Sequence, residues 1–140
     1  MIFFQKINNF LKDHSNLILR LCIGFVYIWF GLLKAFNTGP IDDLVDQTIQ
    51  FIHLPNFSMY LGFWELLIGL CFLFRKSIFI GIGLFFLQIP GTFLPLVLFP
   101  EVCFIHFPFI LSLEGQYIFK NLILIGAVIQ VYVNQLKNTD

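Results

Sequence analysis

Few side chains in this sequence can do chemistry, and those that can stand inside apolar runs. Glu65 lies in Ser58–Phe74 (SMYLGFWELLIGLCFLF) and Lys34 near the end of Leu17–Phe36 (LILRLCIGFVYIWFGLLKAF). Gln88 and Thr92 lie in Ser77–Phe99 (SIFIGIGLFFLQIPGTFLPLVLF), and Lys120 with Asn121 near the start of Tyr117–Leu136 (YIFKNLILIGAVIQVYVNQL). An acid in such surroundings is a candidate for proton exchange, ammonium groups can hold oxygens, and amides or hydroxyls can orient a ring. Counted at ~1.5 Å of rise per residue, Glu65 is ~10 Å in from one end of its run. Lys34 and Lys120 lie close to the matching ends of theirs, and Gln88 and Thr92 in the matching half, so all converge at one depth. Two readings follow. Lys34, Glu65 and Lys120 can form a buried ion network that fixes helix register, with Glu114 or Glu101 as further ion-pair partners. Alternatively, two cations, one carboxylate and the amide and hydroxyl groups wall a pocket that binds the carbonyl oxygens of a quinone and relays a proton through Glu65.

The elements that must position these groups follow from composition. Hydrophobic residues make up 59% of the 140-residue chain and charged residues 11%, with 20 Phe. Sixteen charges cannot cover the surface of a small water-soluble fold. The four runs each approach the ~20 apolar residues that cross a ~30 Å hydrocarbon core, and none alternates with period two. They predict an all-α integral membrane protein, a four-transmembrane-helix bundle forming a single domain over 1–140. Eight Lys and Arg balance eight Asp and Glu, which leaves no surplus for nucleic acid. Lys6, Lys12, Arg75, Lys76 and Lys137 fall at one set of ends, whereas the loops at 37–57 and 100–116 carry acids and no Lys or Arg. The positive-inside rule then places both termini in the cytoplasm. Three further segments, about 2–11, 41–53 and 101–113, read as interfacial pieces; in 41–53 apolar Ile41, Leu44, Val45, Ile49 and Ile52 oppose Asp42, Asp43 and Asp46.

Within the spans the polar and small residues form stripes. Arg20, Gly24, Tyr27, Gly31 and Lys34 share one helical face, as do Ser58, Gly62, Glu65 and Gly69. Ser77, Gly81, Leu84 and Gln88 lead on to Gly91 or Thr92 in the third span; Gln116, Lys120, Leu124, Ala127 and Asn134, with Gln130 beside them, mark the fourth. Such stripes turn towards the bundle interior. Arg20, near the inner face, is expected to snorkel to headgroups. His14, His53 and His106 all lie outside the spans and the three cysteines form no C-x-x-C, so no haem or metal is expected. Cys22 and Cys71 read as apolar fillers, with Cys103 exposed on the outer side.

The segments around Arg20 and Gly31-Leu32-Leu33-Lys34, and Trp64-Glu65-Leu66-Leu67-Ile68-Gly69, resemble the opening spans of DoxX-like membrane proteins. Leu113-Glu114-Gly115-Gln116-Tyr117-Ile118-Phe119-Lys120-Asn121-Leu122 is similar to the branch that includes the YkgB-type inner-membrane proteins. The resemblance covers about residues 16–134 and marks Lys34, Glu65, Lys120 and Asn121. It implies a multi-pass protein of the bacterial inner membrane, in a family associated with quinone-linked redox chemistry and oxidative-stress complexes. The expected function is binding of a quinone-like or amphiphilic molecule in the outer half, with Glu65 exchanging a proton. Lys34, Gln88, Thr92, Lys120 and Asn121 would hold the ligand, in support of a membrane or periplasmic redox partner or a second copy. Any enzymatic role would be as a subunit of a quinone-linked oxidoreductase. The alternatives are a non-catalytic assembly subunit or a small transporter, the latter weakened by the lack of an inverted repeat.

Overall fold

A computed structural model describes residues 1–36, 38, 46–47 and 56–138. The expected surface helix at 41–53 lies outside them, apart from Asp46 and Gln47, which are helical. The chain is mostly helical. Helix α1 (Ile2–Ala35) is followed by α2 (Phe57–Leu73), a single 3-10 turn at Arg75–Ser77, and α3 (Ile78–Leu98). A short turn of helix, α4 (Pro100–Cys103), leads to strands β1 (Phe104–His106) and β2 (Ile110–Leu111), then to α5 (Leu113–Phe119) and α6 (Asn121–Lys137). Three helical stretches, Ile2–Ala35, Arg75–Leu98 and Leu113–Lys137, are long and apolar enough to cross a membrane, and α2 is a shorter apolar helix of 17 residues.

Two of the flanking pieces fall within the described residues. Residues 2–11 are helical and continuous with the first span, α1 running through them as one 34-residue helix about 51 Å long at 1.5 Å per residue. No Gly or Pro interrupts the sequence before Gly24, so nothing ends the helix there. The 101–113 segment is not a helix beyond Cys103. It folds as a small antiparallel hairpin in which Phe104 faces Leu111 and His106 faces Ile110. Phe and Ile favour extended backbone, and Pro108 has no N–H to continue a helix.

Helices α1 and α2 pack antiparallel through paired glycines. Gly24 and Gly31 are seven residues apart, as are Gly62 and Gly69, and the two pairs meet in reverse order. A Cβ on Gly62 would stand 2.5 Å from the Ala35 nitrogen and 2.7 Å from the Gly31 carbonyl oxygen; one on Gly69 would stand 2.8 Å from the Gly24 carbonyl oxygen. The backbones therefore touch, as small residues permit in lipid-facing bundles. The inward turn of the first two stripes is as the spacing predicts: Arg20, Gly24, Tyr27, Gly31, Ser58, Gly62, Glu65 and Gly69 are all buried.

The core continues through Ile23, Tyr27, Ile68 and Phe72 to Ile78, Ile82 and Phe85 of α3 and Val128 and Val131 of α6. The fourth stripe is only partly inward. In α6 the buried face is Val128, Val131 and Gln135, while Gln116, Lys120 and Gln130 are exposed. The helix breaks at Lys120, so the phase set by Gln116 and Lys120 does not carry into α6. Outside this core the surface is a belt of exposed Phe25, Phe63, Leu67, Ile80, Leu87 and Ile123. An apolar exterior on helices of this length belongs to a membrane protein.

Candidate functional site

The glycine contacts place the charged groups. Lys34 stands three residues after Gly31 in the last turn of α1, and Glu65 three residues after Gly62 in α2. Residues three apart share a helix face, so the Gly31–Gly62 contact carries the two side chains together. Lys34 Nζ lies 2.6 Å from Glu65 Oε1, with side chains 18% and 7% exposed. From α3, the Gln88 amide donates Nε2–H to the same carboxylate oxygen at 2.8 Å. Beside it the Trp64 indole donates Nε1–H to the Leu84 carbonyl at 3.4 Å, a further link from α2 to α3. One carboxylate thus joins three helices.

The join is incomplete. Glu65 Oε2 and Gln88 Oε1 are both buried, and neither has a hydrogen-bond partner among the described residues. Buried acceptors left without a donor cost roughly 1–3 kcal/mol each, and most folds avoid them. One unmet atom belongs to each partner of the Gln88–Glu65 hydrogen bond. Close by, Gly91 is exposed with no atom within 4 Å of where its Cβ would be, on the face it shares with Gln88 one turn earlier.

The other expected site residues lie apart from this cluster. Thr92 is half-buried and donates its hydroxyl to the Gln88 carbonyl at 3.3 Å, so it supports the α3 backbone. Lys120 is exposed, its Nζ 4.8 Å from the centre of the Tyr117 ring, and is not joined to Glu65. Asn121 donates to the Tyr117 and Ile118 carbonyls at the end of α5, at 3.3 and 2.9 Å. Glu114, half-buried, and Glu101, exposed, stand in first turns of helix. Among the described residues Lys34–Glu65 is the only ion pair, so the expected network of Lys34, Glu65 and Lys120 is replaced by Lys34, Glu65 and Gln88. Lys120 instead lies over Tyr117, its neighbour three residues earlier on the same helical face.

Two contacts have no counterpart in the sequence pattern. Arg20 does not reach for headgroups: it is buried and donates Nε–H and Nη2–H to the Phe72 carbonyl at 3.3 Å and Nη2–H to the Leu73 carbonyl at 3.2 Å. These carbonyls end α2, where a cation also meets the negative end of the helix dipole. At the other end of α2, Asp46 Oδ1 accepts from the Ser58 amide at 2.9 Å and closes one of the open N–H groups. Arg20 signals its role only by sitting on the inward stripe beside Gly24; Asp46 gives no signal beyond being an acid near a helix start.

Among the cysteines Cys71 is a buried filler as expected, but Cys103, expected to be exposed, is not. Cys22 is exposed, whereas Cys71 and Cys103 are buried. Burial pushes the Cys103 thiol above its ordinary range, and the Glu114 and Glu101 carboxylates push it the same way. His106 is exposed on the hairpin and His14 stacks on Phe10 with ring centres 4.5 Å apart, while His53 lies outside the described residues. No protein-family model, curated protein or solved structure matches the chain.

Proposed function

We propose that this chain is a DoxX-like subunit of the bacterial inner membrane, with four spans and both termini cytoplasmic. Its outer half holds the head of a quinone-like amphiphile beside Glu65 on behalf of a redox partner. The observation that carries this reading is the pair of buried acceptors, Glu65 Oε2 and Gln88 Oε1, that have no partner. A network needed only to fix helix register gains nothing from a carboxylate used on one oxygen alone. A site that receives a ligand must keep an atom in reserve. Lys34 balances the Glu65 charge, Gln88 sets the carboxylate's orientation, and the bare backbone at Gly91 leaves room at the lipid-facing edge for an entering ring. Lys120 and Asn121 have no part in it, being engaged with Tyr117 and Ile118 of α5. A quinone, when bound, supplies the electron chemistry; the chain's own residues bind its head and exchange a proton at the Glu65 carboxyl.

The test is purification from native membranes in mild detergent, then solvent extraction and quantitation of quinones against a lipid-only control. Near-stoichiometric quinone, lost in Glu65→Gln while the helices stay folded, is the expected result. A second reading has its own support, since Glu65 ties α1, α2 and α3 together in the manner of an assembly subunit. On that reading no quinone is enriched in either protein, and Glu65→Gln lowers the unfolding temperature instead.

A further inference from the structure

Resting on the site proposed above, we infer that it selects a neutral hydroxyl donor, so that it holds the reduced, dihydroxy form of a quinone-like amphiphile in preference to the oxidised form. Both unmet atoms are acceptors. An ionised carboxylate has no proton to give, and the Gln88 amide directs one N–H at Glu65 Oε1 while neither its second N–H nor the Lys34 ammonium reaches the two unmet atoms. Turning the Gln88 amide over would set its carbonyl oxygen against that carboxylate oxygen, so the orientation is fixed by the neighbour. What reaches Glu65 Oε2 and Gln88 Oε1 must therefore bring hydrogens.

The surroundings narrow the donor further. A metal ion or an ammonium group would meet Lys34, whose Nζ already stands 2.6 Å from the same carboxylate. A carboxylate or phosphate would meet the Glu65 charge and two lone-pair-bearing atoms. A quinone carbonyl brings a third acceptor and leaves both buried atoms unmet. A hydroxyl on a neutral ring donates its one hydrogen to either of them without adding charge. Pro95 strengthens the bias, because it has no N–H to give to the Gly91 carbonyl one turn back in α3. Sites built around a ligand hydroxyl discriminate strongly against the analogue that lacks it, since their own polar atoms are then left buried and unpaired.

The inference is tested with the full chain in lipid nanodiscs, titrated anaerobically by calorimetry with three probes of equal tail length. These are a decyl-chained benzoquinone, its reduced dihydroxy form, and the dimethyl ether of that reduced form. The reduced form should bind at least about tenfold tighter than either of the others. In Glu65→Gln, whose new amide can donate, both forms should bind too weakly to survive purification, and in the titration the ratio between reduced and oxidised forms should fall to about one. Gln88→Leu, which removes one acceptor and leaves the charge pair intact, should lower the ratio in the same direction if Glu65→Gln does not fold. Equal binding of all three probes, or tighter binding of the quinone, overturns the donor preference and leaves the ligand site standing. Binding of none overturns both.

Discussion

Removing the basic partner of Glu65 leaves a nearly buried carboxylate with the Gln88 amide as its one donor. Breaking a fully buried pair from one side costs about 3–5 kcal/mol, whereas an average hydrogen bond between membrane helices contributes about 0.6 kcal/mol. With Lys34 partly exposed, Lys34→Met should fall between, lowering stability by on the order of 2 kcal/mol. Lys34→Met combined with Glu65→Met should recover most of that loss, because no charge is left unpaired. Unfolding in a titration with denaturing detergent reads both variants; a double variant no more stable than Lys34→Met would show that the pair is not what the single change removes. Lys34, Glu65 and Gln88 are legible in the sequence because helical spacing and matched depth act on each span separately. Lys120 is not, because its engagement with Tyr117 three residues earlier carries no signal that depth or spacing could reveal. Arg20 is legible as an inward residue but not as a cap, since its partners are backbone carbonyls that carry no side-chain signature.

At the scale of the elements, the glycines separate into those that touch a neighbouring helix and those that touch nothing. Gly31 and Gly62 face each other's backbones, and a Cβ on Gly31 would lie 2.8 Å from the Gly62 carbonyl oxygen. Gly83 and Gly126 have no atom within 4 Å of a built Cβ. Gly31→Ala and Gly62→Ala should therefore force α1 and α2 apart, lower the unfolding temperature and weaken the Lys34–Glu65 contact. Gly83→Ala and Gly126→Ala should leave the fold unchanged or stabilise it by up to about 1 kcal/mol through helix propensity. Thermal unfolding in one detergent compares all four, and a loss at Gly83 equal to that at Gly62 would refute close packing as the cause. The shared seven-residue spacing of the two glycine pairs is legible in the sequence, because an antiparallel match needs equal intervals on both helices. The hairpin at 104–111 is not, because apolar content alone does not distinguish a shallow helix from two short strands.

For the whole molecule the decisive quantity is the number of crossings, and α2 decides it. Its 17 residues rise about 26 Å, a little under the ~30 Å hydrocarbon core. It runs back along α1 from the level of Ala35, where Gly62 packs, to the level of Arg20, which caps its last carbonyls. If α1 crosses, a partner antiparallel to it over that length crosses as well, and the chain passes four times. Four crossings put Asn9 and Asn138 on one side and the hairpin on the other; three crossings, with α2 dipping in and returning, put the termini on opposite sides. Asn9→Cys, His106→Cys and Asn138→Cys, each introduced with Cys22→Ser, distinguish these cases with a membrane-impermeant maleimide. The Lys and Arg asymmetry sets the expected result: His106→Cys reacts in intact cells, and the two terminal variants react only in inverted vesicles. Labelling of Asn9→Cys and Asn138→Cys from different sides would mean three crossings. Glu65 would then sit on a re-entrant helix open to one aqueous face, and its unmet oxygen would be supplied by water from that face without any ligand.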